Sequence, residues 1–571
     1  MTKILLKNSP LPLGEGQGEG RFAVHLFTAR NFTRIFFSLC FCLSLTACSQ
    51  AEPLPKFVAK DGRYAFLVDG KPYIALGAQV HNSSGWASTM EEVWPQLEAL
   101  HVNTVEVPVY WQSVEPQPGK FNFEELDRII EGARSRKMRL VLLWFATWKN
   151  GMMNYAPEWI KTNPERYPRV IGPNGKGILV LSPHSKANLD ADRRAFTALM
   201  THLKQFDGDK QTVIMVQVEN ESGSLGSVRD YSDEANRLFA SAVPEQLVKA
   251  MKRRPGTWKE VFGPDADEFF SAYSVAAYIN DVAKAGKAVY PLPLYVNAWL
   301  RNERTLERPG DTYPSGGPTF NVLDIWKAVT PDIDLIAPDI YHSDFIAFQR
   351  DCNYYRRPDN PLFIPETGGG TVNARYLFYA LADGALGFAP FGVDELDGSR
   401  KLRPELAAMA MNYQLLTPAI PALAELQSAG KLHSAVAEHL RNSDLVRLER
   451  YDAQVDFHIP RGWTVPGQSN TPANANELAG RALIGELSPD ELLVLGFDAR
   501  VRFLSHDPEK KAAIYVRVEE GQFDSGVWKM KRLWNGDEID FGLRLPPQGA
   551  VLKAKLMPGY MRHGEFIDGA F

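Results

Sequence analysis

From Tyr73 onward the chain is a series of short apolar runs separated by longer amphipathic stretches. Residues 102–109 (VNTVEVPV) follow MEEVWPQLEAL, 139–145 (RLVLLWF) follow FEELDRIIEGARSRK, and 212–218 (TVIMVQV) follow DRRAFTALMTHLKQF. Residues 294–298, 333–337, 362–365 and 385–391 continue the series, and 73–77 begin it. The runs are apolar nearly throughout rather than alternating, as parallel strands buried on both faces require. Eight strands with helical stretches between them predict an α/β fold, a TIM (β/α)8 barrel with insertions. An open doubly wound sheet is the lesser alternative, because no Gly-rich phosphate loop follows the first strand. The largest insertion is expected after strand four, over residues 222–290, where SDEANRLFASAV and DEFFSAYSVAAYINDVAKAG have helical patterns.

The pattern changes at both ends. Ahead of the first strand, two alternating runs are punctuated by Asp61-Gly62 and Asp69-Gly70, the signals of a β-ribbon with tight turns. Beyond about residue 417, LVRLERY, AQVDFHI, RALIGEL, LLVLGF, ARVRFL, AAIYVRV and VWKMKRLW alternate with turns between them. Such runs predict a C-terminal antiparallel β-sandwich domain. The expected division is 1–48 as a start without structure plus a leader, 52–416 as ribbon and barrel, and 417–571 as sandwich. In the leader, Arg30 and Arg34 precede the apolar run 35–45, which is too short to span a bilayer stably. It ends in Leu45-Thr46-Ala47-Cys48, which resembles a bacterial lipobox with Cys48 as the lipidated residue; plain cleavage after residues 49–51 is the rival. Either reading predicts export, to the periplasm or, as a lipoprotein, the outer membrane, with membrane contact only through the anchor.

Composition narrows the partners. The net charge of −5 over 571 residues offers no basic field for a phosphate backbone, so no nucleic-acid partner is expected. Three of the four cysteines, Cys40, Cys42 and Cys48, fall in the leader. Cys352 alone cannot form an intrachain disulfide and reads as a buried small residue. No His/Cys/Asp/Glu cluster has metal-ligand spacing, and no G-x-S-x-G elbow is present, so neither a metal, a cofactor nor a serine nucleophile is expected.

In a barrel, reactive groups belong at the C-terminal ends of the strands. Strand four runs into Gln217-Val218-Glu219-Asn220-Glu221-Ser222-Gly223, and strand seven into Ile364-Pro365-Glu366-Thr367-Gly368-Gly369-Gly370. Hydrolysis of a glycosidic bond needs two carboxyl groups, one to protonate the leaving oxygen and one to attack or to activate water. An isolated Glu at a strand end is ordinarily a solvated charge. Two at matching ends point to that chemistry, with Glu221 and Glu366 as the pair. Glu219 either raises the pKa of Glu221 or pairs with an Arg or Lys. Trp111, Trp144, Trp148 and Trp299 near strand ends either stack on sugar or pack. His81 and Asn82 after strand one and Asn297 ending strand five are candidate sugar contacts. Glu115 reads as structural.

The run Gln217–Gly223 resembles the Q-x-E-N-E-[YF]-G signature of the family 35 β-galactosidases of clan A. Asn103-Thr104 and the stretch 111–121 resemble that family's second-strand segment. The resemblance covers about residues 73–394 and implies Glu221 as acid/base, Glu366 as nucleophile, Asn220 on the sugar 2-hydroxyl and Tyr341 hydrogen-bonded to the nucleophile. Pro108 stands where the family has a sugar-binding Tyr, Thr147 where it has a sugar-binding Glu, and Ser222 where it has an aromatic. The resemblance therefore implies a retaining exo-β-galactosidase acting on oligosaccharides such as galactosylated xyloglucan. The alternatives are the same machinery on another β-linked sugar, or a surface carbohydrate-binding lipoprotein without turnover.

Overall fold

The computed structural model describes residues 53–438, 443–457 and 479–560. The leader and Cys48 lie outside the described residues. Three short strands, β1 (Lys56–Lys60), β2 (Arg63–Val68) and β3 (Lys71–Tyr73), form an antiparallel sheet. Its two turns are the expected ones: Asp61-Gly62 and Asp69-Gly70 all have φ between 52° and 74°, the backbone that type I′ turns demand.

Eight parallel strands then close a barrel. In chain order they are β4 (Ala75–Gln79), β5 (Thr104–Tyr110) and β6 (Arg139–Lys149), then β9 (Val213–Asn220), β10 (Leu294–Trp299), β11 (Leu335–Ile340), β12 (Ile364–Thr367) and β13 (Gly387–Pro390). A small hairpin, β7 (Arg169–Ile171) with β8 (Gly177–Leu181), interrupts the sequence after β6. Each predicted apolar run thus holds a barrel strand, most displaced by a residue or two toward the C-terminus. The strands are buried on both faces because helices such as Glu124–Ser135, Lys186–Phe206 and Ala266–Val289 cover the outside. The last of these is the barrel's own fourth helix, so the insertion after β9 is shorter than its helical patterns suggested.

The lumen is a packed core. Ala75, Val141, Leu143, Met215, Tyr295, Leu335 and Phe363 form one cluster with Phe66 and Val68 of β2. The ribbon therefore plugs the barrel end opposite the strands' C-termini, leaving the other end for chemistry. The plug is tied to the wall by an ion pair between Asp69 and Arg139.

The C-terminal sheet begins at β14 (Leu432–Val436), after the helix Ile420–Ser428, so the boundary expected at 416/417 falls inside a helical run. It continues through β15 (Ser443–Arg447), β16 (Tyr451–Phe457), β17 (Arg481–Ser488), β18 (Glu491–Phe497), β19 (Ala499–Ser505) and β20 (Ala512–Asp524). β21 (Val527–Trp534), β22 (Leu543–Leu545) and β23 (Ala550–Gly559) complete it. Hydrogen bonding makes these one antiparallel sheet, not two, in the order β14-β17-β18-β23-β20-β19-β16-β15. The sheet folds on itself at the β19–β20 junction, where only Leu504 and Ala512 pair. Leu492 and Val494 of β18 share an enclosed core with Val455 of β16 and Val501 of β19. The sandwich core is thus made by one rolled sheet. The other face of β18, with Leu493, Leu495 and Phe497, packs into the core of the barrel's helical layer.

Phe66 is fully buried in the plug. Phe66→Ala should cost about 3–5 kcal/mol, read as a lower thermal midpoint, whereas Lys60→Ala on the exposed strand beside it should leave the midpoint nearly unchanged.

Candidate active site

The site is built where β6 and β9 part company. Trp144 pairs with Val218, and the next pair is Lys149 with Asn220, so five residues of β6 span what β9 covers in two. The bulge frees the amides of Thr147 and Trp148. Glu219 fills the gap: its Oε2 accepts from the Trp148 N–H at 2.7 Å. Glu219 and Glu221 have φ of 64° and 43°, a left-handed backbone that bulky residues adopt at a cost of about 1–3 kcal/mol each. That kink turns the two side chains apart. Glu219 faces outward to Asp192, and burial followed by the Asp192 charge holds its pKa well above the usual range. Its partners are thus a backbone amide and a carboxyl, not the Arg or Lys the sequence suggested.

Glu221 is held from behind. Its backbone N–H donates to Asn297 Oδ1 at 2.9 Å, and Asn297 Nδ2 donates to Asp339 Oδ2 at 2.8 Å. The loop that follows is pinned across the barrel mouth by paired backbone bonds between Ser224 and Ser315. Gly223 has φ +117°, and a Cβ there would stand 2.6 Å from Ser315 O, so only glycine fits. The Glu221 carboxyl is nearly fully buried. Burial first, then the charge of Glu366, push its pKa up to about 7 against the opposing pull of Lys149 and a hydrogen bond from Asp339. Glu219 is not among the causes.

Glu366 ends β12, in register with Asp339 of β11. Tyr341 donates its hydroxyl to Glu366 Oε1 at 2.6 Å, and Gln79 Nε2 donates to Oε2 at 3.2 Å. Both oxygens are thus anchored, and the carboxylate is fixed in direction. Asp339 is buried beside both glutamates, and burial with those two charges raises its pKa well above the ordinary value. Deeper in the lumen, Glu106 accepts from Tyr295 across the barrel at 3.2 Å and is likewise pushed up by burial.

The rim residues sort differently. Asn220 is fully buried beside the pair, with its Oδ1 bound by Lys149 Nζ at 2.7 Å. His81 sits at the mouth with about half its side chain exposed, held by Asp394, whose carboxylate raises the imidazole pKa. Trp111 and Trp144 are corrections. Both are fully buried, Trp111 donating to Glu115 and Trp144 to Asp192 on the helical side of their strands, so neither offers a face to sugar. Trp148 is packed edge-on against Tyr278. Trp299 stays partly exposed. Asn297 spends its amide on Glu221 and Asp339, a supporting role rather than a sugar contact. Glu115 is structural as expected, paired with Arg194. Thr147 is buried against Asp192 and Tyr278, which removes that position from the pocket. Pro108 has the strand parity of Tyr110, whose hydroxyl is already bound by Gly85 N–H.

Sequence reasoning missed Gln79, Lys149 and Asp339. Gln79 and Asp339 end barrel strands and were open to the same strand-end argument as Glu366. Lys149 was hidden because the bulge extends β6 four residues past its apolar run.

Residues 82–263 match a family model described as Beta-galactosidase. Residues 409–546 match one described as Domain of unknown function (DUF5597). A beta-galactosidase of Xanthomonas manihotis is 28% identical over 208 residues, 34% of this chain and 31% of that protein. Beta-galactosidase 14 of Arabidopsis thaliana is 23% identical over 234 residues, 38% of this chain and 24% of that protein. The chain spans less than a third of the length of these curated relatives. Among solved structures, the chain is similar to a cold-adapted beta-galactosidase from Rahnella sp. R3 with TM-score 0.44 and 15% identity, covering 62% of this chain and 57% of that one. Beta-galactosidase from Bacillus circulans sp. alkalophilus gives TM-score 0.49 and 12% identity over 84% and 99% of the two chains.

Because the Glu366 charge raises the Glu221 pKa, Glu366→Gln should lower it. Titration of the Glu221 carboxyl by 13C NMR should give a midpoint near 7 in the parent and a lower one in the variant; an unchanged midpoint would sever the two groups.

Proposed function

We propose that the protein is a retaining exo-β-galactosidase. In this reading Glu366 attacks the anomeric carbon while Glu221, protonated by virtue of its raised pKa, gives its proton to the departing oxygen. Glu221 then takes a proton from the water that releases the sugar from Glu366. The observation that carries the reading is the contrast between the two glutamates. Glu366 has both oxygens tied by donors that favour a directed anion, whereas Glu221 is buried and kept neutral by that anion. Asn220 belongs beside the sugar 2-hydroxyl, a contact that strengthens in the transition state.

The family 35 motif around Glu221 and the beta-galactosidase relatives support galactose as the sugar. Plant oligosaccharides such as galactosylated xyloglucan are the proposed substrate class. With Thr147 turned away from the pocket, specificity falls to other groups at the mouth, among them His81 and Lys149. A second β-glycosidase specificity is the reading favoured if those groups suit another sugar. The export pattern supports a lipoprotein anchored through Cys48, with the barrel acting outside the cytoplasm. Among the described residues no helix is long and apolar enough to cross a membrane.

Two outcomes test the reading. Glu366→Gly should abolish hydrolysis of an aryl β-galactoside, and azide should restore part of it with inverted product; a fully active variant would end the assignment. The pH profile of kcat/KM should fall as pH rises through about 7, because the proton needed on Glu221 is then lost. A panel of aryl β-glycosides, followed by monosaccharide release from xyloglucan oligosaccharides against lactose, ranks the sugars.

A further inference from the structure

Lys149 ends β6 beyond the bulge and is 4% exposed, an unusual place for a lysine. A regular β6 would have ended near Trp144 in register with Val218; the bulge instead sets Lys149 opposite Asn220. Its ammonium donates to Asn220 Oδ1 at 2.7 Å and lies 5.0 Å from the centre of the Phe145 ring. Lysine has donors and no acceptor, so the contact admits one orientation of the Asn220 amide. With the oxygen captured, the nitrogen must face the other way. Asn220 Nδ2 is buried and makes no hydrogen bond within the protein. The reverse flip would set an NH2 against an NH3+ and is excluded by the same distance.

Charge explains why a buried ammonium is tolerated. Glu221 at the end of β9, Asp339 on β11 and Glu366 on β12 surround the mouth, and Lys149 opposes the upward pKa shifts of both Glu221 and Asp339. Tyr341 after β11 and, in the lumen, Glu106 and Tyr295 are further titratable groups that face Glu366. Lys149 therefore acts on two carboxyls, Glu221 and Asp339, and one amide.

We propose that Lys149 is a positioning residue that locks the Asn220 amide with its nitrogen toward the 2-hydroxyl of the bound sugar. The inference rests on the glycosidase reading above. Its consequence is conditional: removing Lys149 damages turnover only to the extent that the substrate carries a 2-hydroxyl for Asn220 to hold.

Lys149→Met keeps the stem and removes the donor. On an aryl β-galactoside, kcat/KM should fall roughly 30-fold, mainly through kcat, because the contact matters most in the transition state. On the matching 2-deoxy substrate the same variant should lose no more than about 3-fold, since parent and variant both lack that contact. The falling limb of the pH profile should move to higher pH, because a cation that holds the Glu221 pKa down is gone. Lys149→Arg, which keeps charge and donors, should recover part of the loss. Equal losses on the two substrates, or a limb that stays or moves down, would overturn the proposal while the glycosidase reading stood. A parent enzyme inactive on both substrates would overturn that reading, and this one with it.

Discussion

Carboxyl groups packed together in a dry space cannot all carry charge. At the mouth of this barrel Glu221, Asp339 and Glu366 share one buried region, with Glu106 beneath them. At short range in low dielectric, two like charges repel by several kcal/mol. Something must stay protonated, and the surroundings decide which. Glu366 receives two donors, from Tyr341 and Gln79, and so is the group stabilised as an anion. Glu221 has its backbone pinned by Asn297, and at its carboxyl burial and the Glu366 charge outweigh Lys149 and the hydrogen bond from Asp339. The division into one anion and one acid is therefore a property of the hydrogen-bond partners, not of the residue type. Lys149 sets the scale, since without a cation nearby Glu221 would be harder still to ionise, and on the proposed reading its donation of a proton to the leaving oxygen would suffer.

That arrangement depends on a local departure from barrel regularity. A strand of even pleat would place Glu219 and Glu221 on the same face. The left-handed turns at both residues separate them, and the bulge in β6 supplies the amides that Glu219 satisfies. Strain of a few kcal/mol at two positions is sustained by the Asp192, Thr147, Trp144 and Tyr278 network behind the strand. The same bulge sends Thr147 outward and brings Lys149 inward. One irregularity thus orients Glu221, turns Thr147 away from the pocket and introduces a new cation.

Much of this was legible in the residues. Continuous apolar runs gave away the parallel strands because burial on both faces leaves no polar position. Asp-Gly pairs gave away the ribbon because those turns need positive φ. Glu221 and Glu366 were legible because a barrel's geometry equates chain position with location. What escaped was whatever depended on register. Trp111 and Trp144 lie near strand ends, but the pleat turned Trp144 onto Asp192 of a helix, and Trp111 opens a short helix beyond β5 and is buried on Glu115. The bulge is invisible in composition, since Ala146, Thr147 and Trp148 continue a plausible strand. The C-terminal runs were read correctly as strands, yet nothing in their alternation distinguishes two stacked sheets from one sheet rolled over at a weak junction.

The rolled sheet also has a mechanical place in the site. The helix Thr371–Ala382 follows the strand that carries Glu366, and its outer face meets the sheet rather than solvent. Arg375 on that helix donates to Ala437 O and pairs with Glu438. Arg481 of β17 donates to Asn412, which in turn donates to Ala374 O, and the guanidinium lies over Phe497 with Phe378 beside it. Two buried arginines are an expensive way to join two domains unless their hydrogen bonds are fully directed. Here each ends on a backbone carbonyl or a buried amide, contacts that fix position as well as supply energy. The carboxylate of Glu366 is thus held by Tyr341 and Gln79, and the helix that follows its strand is tied to the sheet. If Glu366 attacks an anomeric carbon as proposed, it needs both restraints, since a misplacement near 1 Å costs on the order of 100-fold in rate.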